Sequence, residues 1–120
     1  MVDLKLPVSG RHHPTHKWGP AMWTTLHMAS LNYRATDKNK RAWKSMLKDW
    51  VPLALPCEKC RKHYMDKLPS FKFQQILRSR RSLIVFLYLL HNQISLEVDR
   101  ALGKRHVPFT WAQFLNKFSP

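Results

Sequence analysis

Apolar residues in the second half of the chain recur every three or four positions. Leu83, Leu87, Leu90-His91, Ile94, Val98 and Leu102 form one stripe, the period of a helix face. Ser79 or Ser82 can start this helix, and Gly103 stands where a left-handed C-cap is expected. Upstream, Ala42-Trp43, Met46-Leu47 and Trp50-Val51 mark a second amphipathic stripe. Lys38, Lys40, Arg41, Lys44 and Lys48 occupy its other face, Thr36-Asp37 supplies the N-cap, and Pro52 is predicted to end it. An earlier helix opens at Trp18-Gly19-Pro20, with Gly19 as N-cap and Pro20 as the first helical residue. Trp23, Leu26-His27 and Ser30-Leu31 follow at helical spacing, so Trp23 and His27 share a face. Taken alone, His27 reads as a packed core histidine.

A third helix is predicted from Pro56 to about Leu68, where Pro69-Ser70 breaks it. A loop with Phe71 and Phe73 then leads to the long helix. Thr110 and Gln113 fit a capping box for a short last helix, Trp111 to Phe118. No strand-like alternation of useful length and no internal repeat is present. The expectation is an all-α fold of four helices plus a short fifth.

Composition narrows the class. A chain of 120 residues is one domain, and 44% hydrophobic residues with five tryptophans and six phenylalanines can build a modest core. Residues 1–17, with Pro7, Gly10 and Pro14, read as a flexible tail ahead of a helical domain over 18–120. His12, His13 and His16 in that tail raise a metal reading, but scattered histidines in a flexible segment explain them as well. Met1 to Lys17 has no apolar core segment, so no secretory signal is expected. The longest apolar run, Leu83 to Leu90, is too short to span a membrane. Net charge is +14, from Lys+Arg 21 against Asp+Glu 7. Such a surface favours anionic partners; a merely solvated basic surface is the plain alternative.

The chemistry concentrates in Leu55-Pro56-Cys57-Glu58-Lys59-Cys60-Arg61-Lys62-His63-Tyr64, which holds both cysteines of the sequence. Pro56 suits a first helical turn, which would put Cys57 and Cys60 one turn apart on one face. A helix N-terminus and the cations Lys59, Arg61 and Lys62 favour thiolate over thiol, the reactive form. The first reading is a redox dithiol. Half a zinc site is another, but His63 supplies only a third ligand and a fourth would have to come from a distant histidine. A structural disulfide would close a very small loop and stabilise little. The want of a central sheet tells against a thioredoxin fold.

Three blocks now stand in order. They are Trp18-Gly19-Pro20-Ala21-Met22-Trp23-Thr24-Thr25-Leu26-His27, then Pro56-Cys57-Glu58-Lys59-Cys60, then His91-Asn92 followed by Leu102-Gly103-Lys104. On an all-helical chain this order resembles the Erv/ALR family of FAD-linked sulfhydryl oxidases, over about residues 18–118. The short form, without other cysteine pairs, looks like the versions carried by large DNA viruses. The resemblance implies a four-helix bundle with FAD at its mouth beside the CxxC, usually as a homodimer. It implies an enzyme that oxidises dithiols and passes electrons through FAD to molecular oxygen, giving a disulfide and hydrogen peroxide. Cys57 would be attacked by the incoming thiolate, and Cys60 would lie against the flavin. Trp18, Trp23 and His27 would wall the flavin, and His91, Asn92 and Trp111 would contact the adenosine part. Lys104 or Arg105 would neutralise the pyrophosphate.

The family reads HNxVNxxLGK without a gap, whereas four extra residues separate the two halves here. The family's second asparagine therefore corresponds to Ser95 or Asp99. Four residues are about one helical turn, some 6 Å along the axis, so both halves could keep facing the cofactor. Larger members carry a second cysteine pair that this sequence lacks, which predicts a separate small, thioredoxin-like dithiol carrier between enzyme and final thiol substrates. The viral likeness implies action in infected-cell cytoplasm, with the virion as a further site. The rival reading is a basic helical module binding nucleic acid, with a structural CxxC.

Overall fold

The computed structural model of the chain describes residues 5–6, 15–55 and 58–119, with the backbone alone for 15–19. Among the described residues there are six helices and no strand. Helix α1 is Thr15–Ser30. Helix α2 runs over 37–54 in three segments: Asp37–Ser45, a π turn at Met46–Trp50, and Val51–Ala54. Helix α3 is Glu58–Lys67 and closes in a 3-10 turn, Leu68–Ser70. Helix α4 is a single turn, Phe73–Ile76; α5 is Arg80–Ala101; α6 is Trp111–Phe118.

Helix boundaries follow side-chain capping where a cap exists. Thr36 and Ser79 accept from Asn39 N–H and Ser82 N–H and start α2 and α5. Thr110 and Gln113 form the reciprocal capping box of α6. Gly103, at φ 68°, turns the chain out of α5 in the left-handed conformation that glycine adopts without cost.

Prolines account for the departures from expectation. Helix α1 is already formed at Thr15, and Pro20 lies inside it rather than opening it. Proline's fixed φ is helical, so the cost is one missing N–H and crowding of the carbonyl four residues back. Pro52 does not end α2. In the turn before it the ladder widens, so that Val51 N–H reaches Met46 O, five residues back. That π turn loosens the stretch where an α ladder would press the Pro52 ring against a carbonyl. The predicted loop at Phe71 and Phe73 contains α4, whose Ile76 is buried under α5.

Helix α5 is the central rod, packed against α1, α3 and α4. Leu83 and Leu87 are fully covered, and Leu90 and Ile94 are buried. Facing them are Leu26 of α1, Leu47 and Val51 of α2, and Cys60 and Tyr64 of α3. The doublets of α2 split. Trp43, Leu47 and Val51 enter the core, whereas Ala42, Met46 and Trp50 line an apolar groove shared with Ala21, Met22, Thr25 and Ala29 of α1.

Candidate functional site

Where α1, α3 and the C-terminal half of α5 diverge, they enclose a cavity of about 470 Å³, closed over by residues 103–118. Its walls include Trp23 and His27 of α1, Cys60 and Tyr64 of α3, and His91, Asn92, Ser95, Val98 and Asp99 of α5. Lys104, His106, Phe109, Lys117 and Phe118 complete it. The sequence-predicted residues Trp23, His27, His91, Asn92, Ser95, Asp99, Lys104 and Cys60 are thus brought together. Ser95 and Asp99 both face the cavity, so the inserted turn keeps α5 continuous and in phase.

Trp23 stacks on His91 at a centroid distance of 4.3 Å and 8° between planes. His91 Nδ1 and His27 Nε2 share a hydrogen bond of 3.0 Å. Burial, and then the charge of Lys117, hold the His27 imidazole down to about 4. Burial, His27 and Lys117 do the same to His91, also to about 4. Both rings are therefore neutral at pH 7, and one donates to the other. His27 is only 1% exposed, yet its Nδ1 has no hydrogen-bond partner. An unsatisfied buried nitrogen is costly, and at a cavity wall it marks where a ligand's polar atom would sit. Aromatic walls suit a planar ring, and Lys104 with Lys117 suits an anionic tail.

Asn92 lines the cavity and also holds backbone. Its amide is engaged at both ends by one backbone: Nδ2 donates to Phe109 O at 2.8 Å and Oδ1 accepts from Phe109 N–H at 2.9 Å. This clamp holds the segment after Gly103 against α5. Asp99 pins the same segment, with Oδ2 3.0 Å from His106 Nδ1. Trp111 does not line the cavity. It stacks on Phe114 at 4.9 Å, edge-on to Tyr88, and is 40% exposed, because the capping box turns α6 so that Phe114 and Phe118 point inward. The Trp18 side chain, Cys57 with Pro56, and most of the predicted 1–17 tail lie outside the described residues. Sequence reasoning missed Lys117, Phe118, His106 and Phe109. The spacing of Phe114, Lys117 and Phe118 on one helical face was the available signal.

Residues 20–118 match the family described as the Erv1 / Alr family. This chain belongs to that family. It is similar to a protein of Frog virus 3 (isolate Goorha) named as an FAD-linked sulfhydryl oxidase, at 31% identity over 96 residues, 75% of this chain and 59% of the relative. It is similar also to a protein of Invertebrate iridescent virus 3 with the same name, at 27% over 86 residues, 69% of this chain and 57% of the relative. A third, from Acanthamoeba polyphaga mimivirus and again so named, is 29% identical over 82 residues, 66% of this chain and 57% of the relative. The chain thus spans less than two thirds of the length of each. No helix among the described residues is long and apolar enough to cross a membrane.

Proposed function

We propose that this Erv1/Alr chain is an FAD-dependent thiol oxidase that forms protein disulfides. The observation that carries the reading is the position of Cys60. The second sulfur of the CxxC is buried in the wall of the same cavity as Trp23, His91 and the unpartnered Nδ1 of His27. FAD, when bound, supplies a two-electron acceptor that can hand those electrons to molecular oxygen, giving hydrogen peroxide. The protein's own part is to hold and to exchange. Trp23, His27 and His91 would wall the ring system, Lys104 and Lys117 would neutralise its phosphates, and the Asn92–Phe109 clamp keeps the cover in place. Cys57 would take the incoming thiolate and Cys60 would leave, since exchange runs through thiolate attack on one sulfur. A nucleic-acid reading leaves the cavity and its buried histidines without a role.

Three finer statements belong to the same proposal. Lys59, Arg61 and Lys62 are exposed on the helix that carries Cys60 and would fit a small dithiol carrier with an acidic face. The apolar groove between α1 and α2, flanked by Trp50 at 53% exposure, would close on a second copy in a homodimer. The viral relatives support action in infected-cell cytoplasm or the virion. The test is oxygen uptake and peroxide release with dithiothreitol. The wild type should turn over, and Cys60→Ser should not. A purified protein that binds no flavin and consumes no oxygen would end the reading.

A further inference from the structure

Away from the cavity, around the start of α5, the surface charge is one-sided. Residues 31–48 hold six Lys or Arg and residues 71–82 hold four more, against Asp37 alone. The fold brings these two segments together. Tyr33 donates its hydroxyl to Leu77 O, and Arg80 Nη1 donates to Leu31 O at 3.1 Å, so the α1–α2 connection lies against the start of α5. Asn39 Nδ2 donates to Arg34 O at 3.0 Å, which holds Arg34 beside the first turn of α2 and Lys38. Lys44 Nζ stands 5.8 Å from the centre of the Phe73 ring, which brings α2 beside α4 and Lys72. Arg34, Lys38, Lys44, Lys72, Arg78 and Arg80 are all exposed, and none lines the cavity. Among the described residues no carboxylate pairs with any of them; the ion pairs are at Glu97 and Asp99, toward the other end of α5. The first turn of α5 holds Arg80 and Arg81 and no acid, where the helix dipole disfavours cations. Like charges gathered on one surface also repel, and both costs are offset when an array of anions lies on it.

We propose that this basic end docks the phosphate backbone of double-stranded nucleic acid, without reading its sequence. Charge complementarity calls for a polyanion, and the apolar surface decides which one. Among the described residues, none of the exposed large apolar side chains lies in 31–48 or 71–82. A membrane surface is held by apolar side chains set beside cations, and a single strand by exposed aromatic rings on which its bases stack. Neither feature is present at this end. A duplex backbone asks only for cations spread over a firm surface. Here they are spread over α2, α4 and the start of α5, which the Tyr33, Arg80 and Lys44 contacts hold together. The arginines add forked donors that match phosphate oxygens. Since none of the six cations lines the cavity, the site there stays open while a duplex is held. The docking surface adds to the function of the cavity and does not replace it. It rests on surface charge and not on the thiol-oxidase reading, so either can fail alone.

The experiment titrates a fluorescent DNA duplex of mixed sequence with the full chain and follows anisotropy at several salt concentrations. The wild type should bind saturably at low salt, and log affinity should fall against log salt with a slope of about −5, as when about six phosphates are neutralised. Arg34→Gln, Lys38→Gln and Lys72→Gln are introduced together. Among the described residues these side chains make no hydrogen bond or ion pair, so the change is one of charge. The triple variant should lower the slope by about three units and weaken binding about 30-fold at the lowest salt. A second triple, Lys59→Gln, Lys62→Gln and Arg100→Gln, removes as much charge from exposed positions elsewhere and should leave the slope within about half a unit of the wild type. No saturable binding of the duplex at low salt overturns the proposal. Equal losses in the two triples would make net charge the whole cause, and overturn it as well. Uptake by phosphatidylserine vesicles with no binding of the duplex would give the surface to a membrane instead. Tighter binding of the single strand than of the duplex would also contradict it.

Discussion

Helix α5 presents two different surfaces end to end. In its first half, Leu83 is fully covered by neighbouring helices. In its second half, the same period turns His91, Ser95, Val98 and Asp99 toward a cavity. The buried polar groups differ in the same way. At the packed end, Tyr33 donates its hydroxyl to the Leu77 carbonyl, and burial pushes the phenol up. At the cavity end, His27 is as deeply buried but keeps one ring nitrogen without a partner. A satisfied buried group specifies how a core fits together. An unsatisfied one beside open space specifies what the core is for.

That contrast sets the size of the effects expected. Leu83→Ala should cost about 3 kcal/mol in chemical denaturation, the usual penalty for a cavity in a closed core. Val98→Ala, half-buried against space that is already open, should cost below about 1 kcal/mol. Equal costs would erase the distinction between the two halves. Acid should act at the cavity end. The folded state holds His27 at about 4 against 6.5 for the ordinary group, so between these values the unfolded chain binds protons that the folded one refuses. Stability is therefore fully present above pH 6.5, falls as pH drops toward 4 and levels below it, with about 3 kcal/mol at stake for His27. His27→Phe should flatten that part of a pH titration of the melting temperature.

Two smaller effects sharpen the picture of the cover. Asn92→Ala removes both bonds to Phe109 and should cost about 2 kcal/mol. Hydrogen exchange should quicken over 103–110 and stay unchanged around Leu83. Thr110→Ala removes the α6 cap and should cost about 1 kcal/mol, read as a lower melting temperature.

Local chemistry made much of this molecule legible beforehand. Thr36, Ser79, Gly103 and Thr110 work within a few residues of themselves, and the α5 stripe is a period that packing simply uses. The helix breaks were less legible, because proline's effect depends on what the neighbouring turn can do. The π turn that carries α2 through Pro52 has no marker in a single sequence. In the site, Trp23, His27 and His91 could be named from motif and spacing. The clamp formed by Asn92 could not, since it needs the backbone 17 residues away to return. Lys117 and Phe118 reach the cavity only because that return brings α6 across its mouth. Trp111, stacked on Phe114, stands outside that lining.

The most direct test of the account asks where the flavin goes. Uniformly labelled, flavin-free protein would be titrated with FAD while the histidine ring nitrogens and leucine methyls are followed by nuclear magnetic resonance. The account predicts saturable shifts at His27 and His91, largest at His27 Nδ1, with the Leu83 methyls still. Saturable FAD binding that leaves both histidine rings unmoved would contradict it.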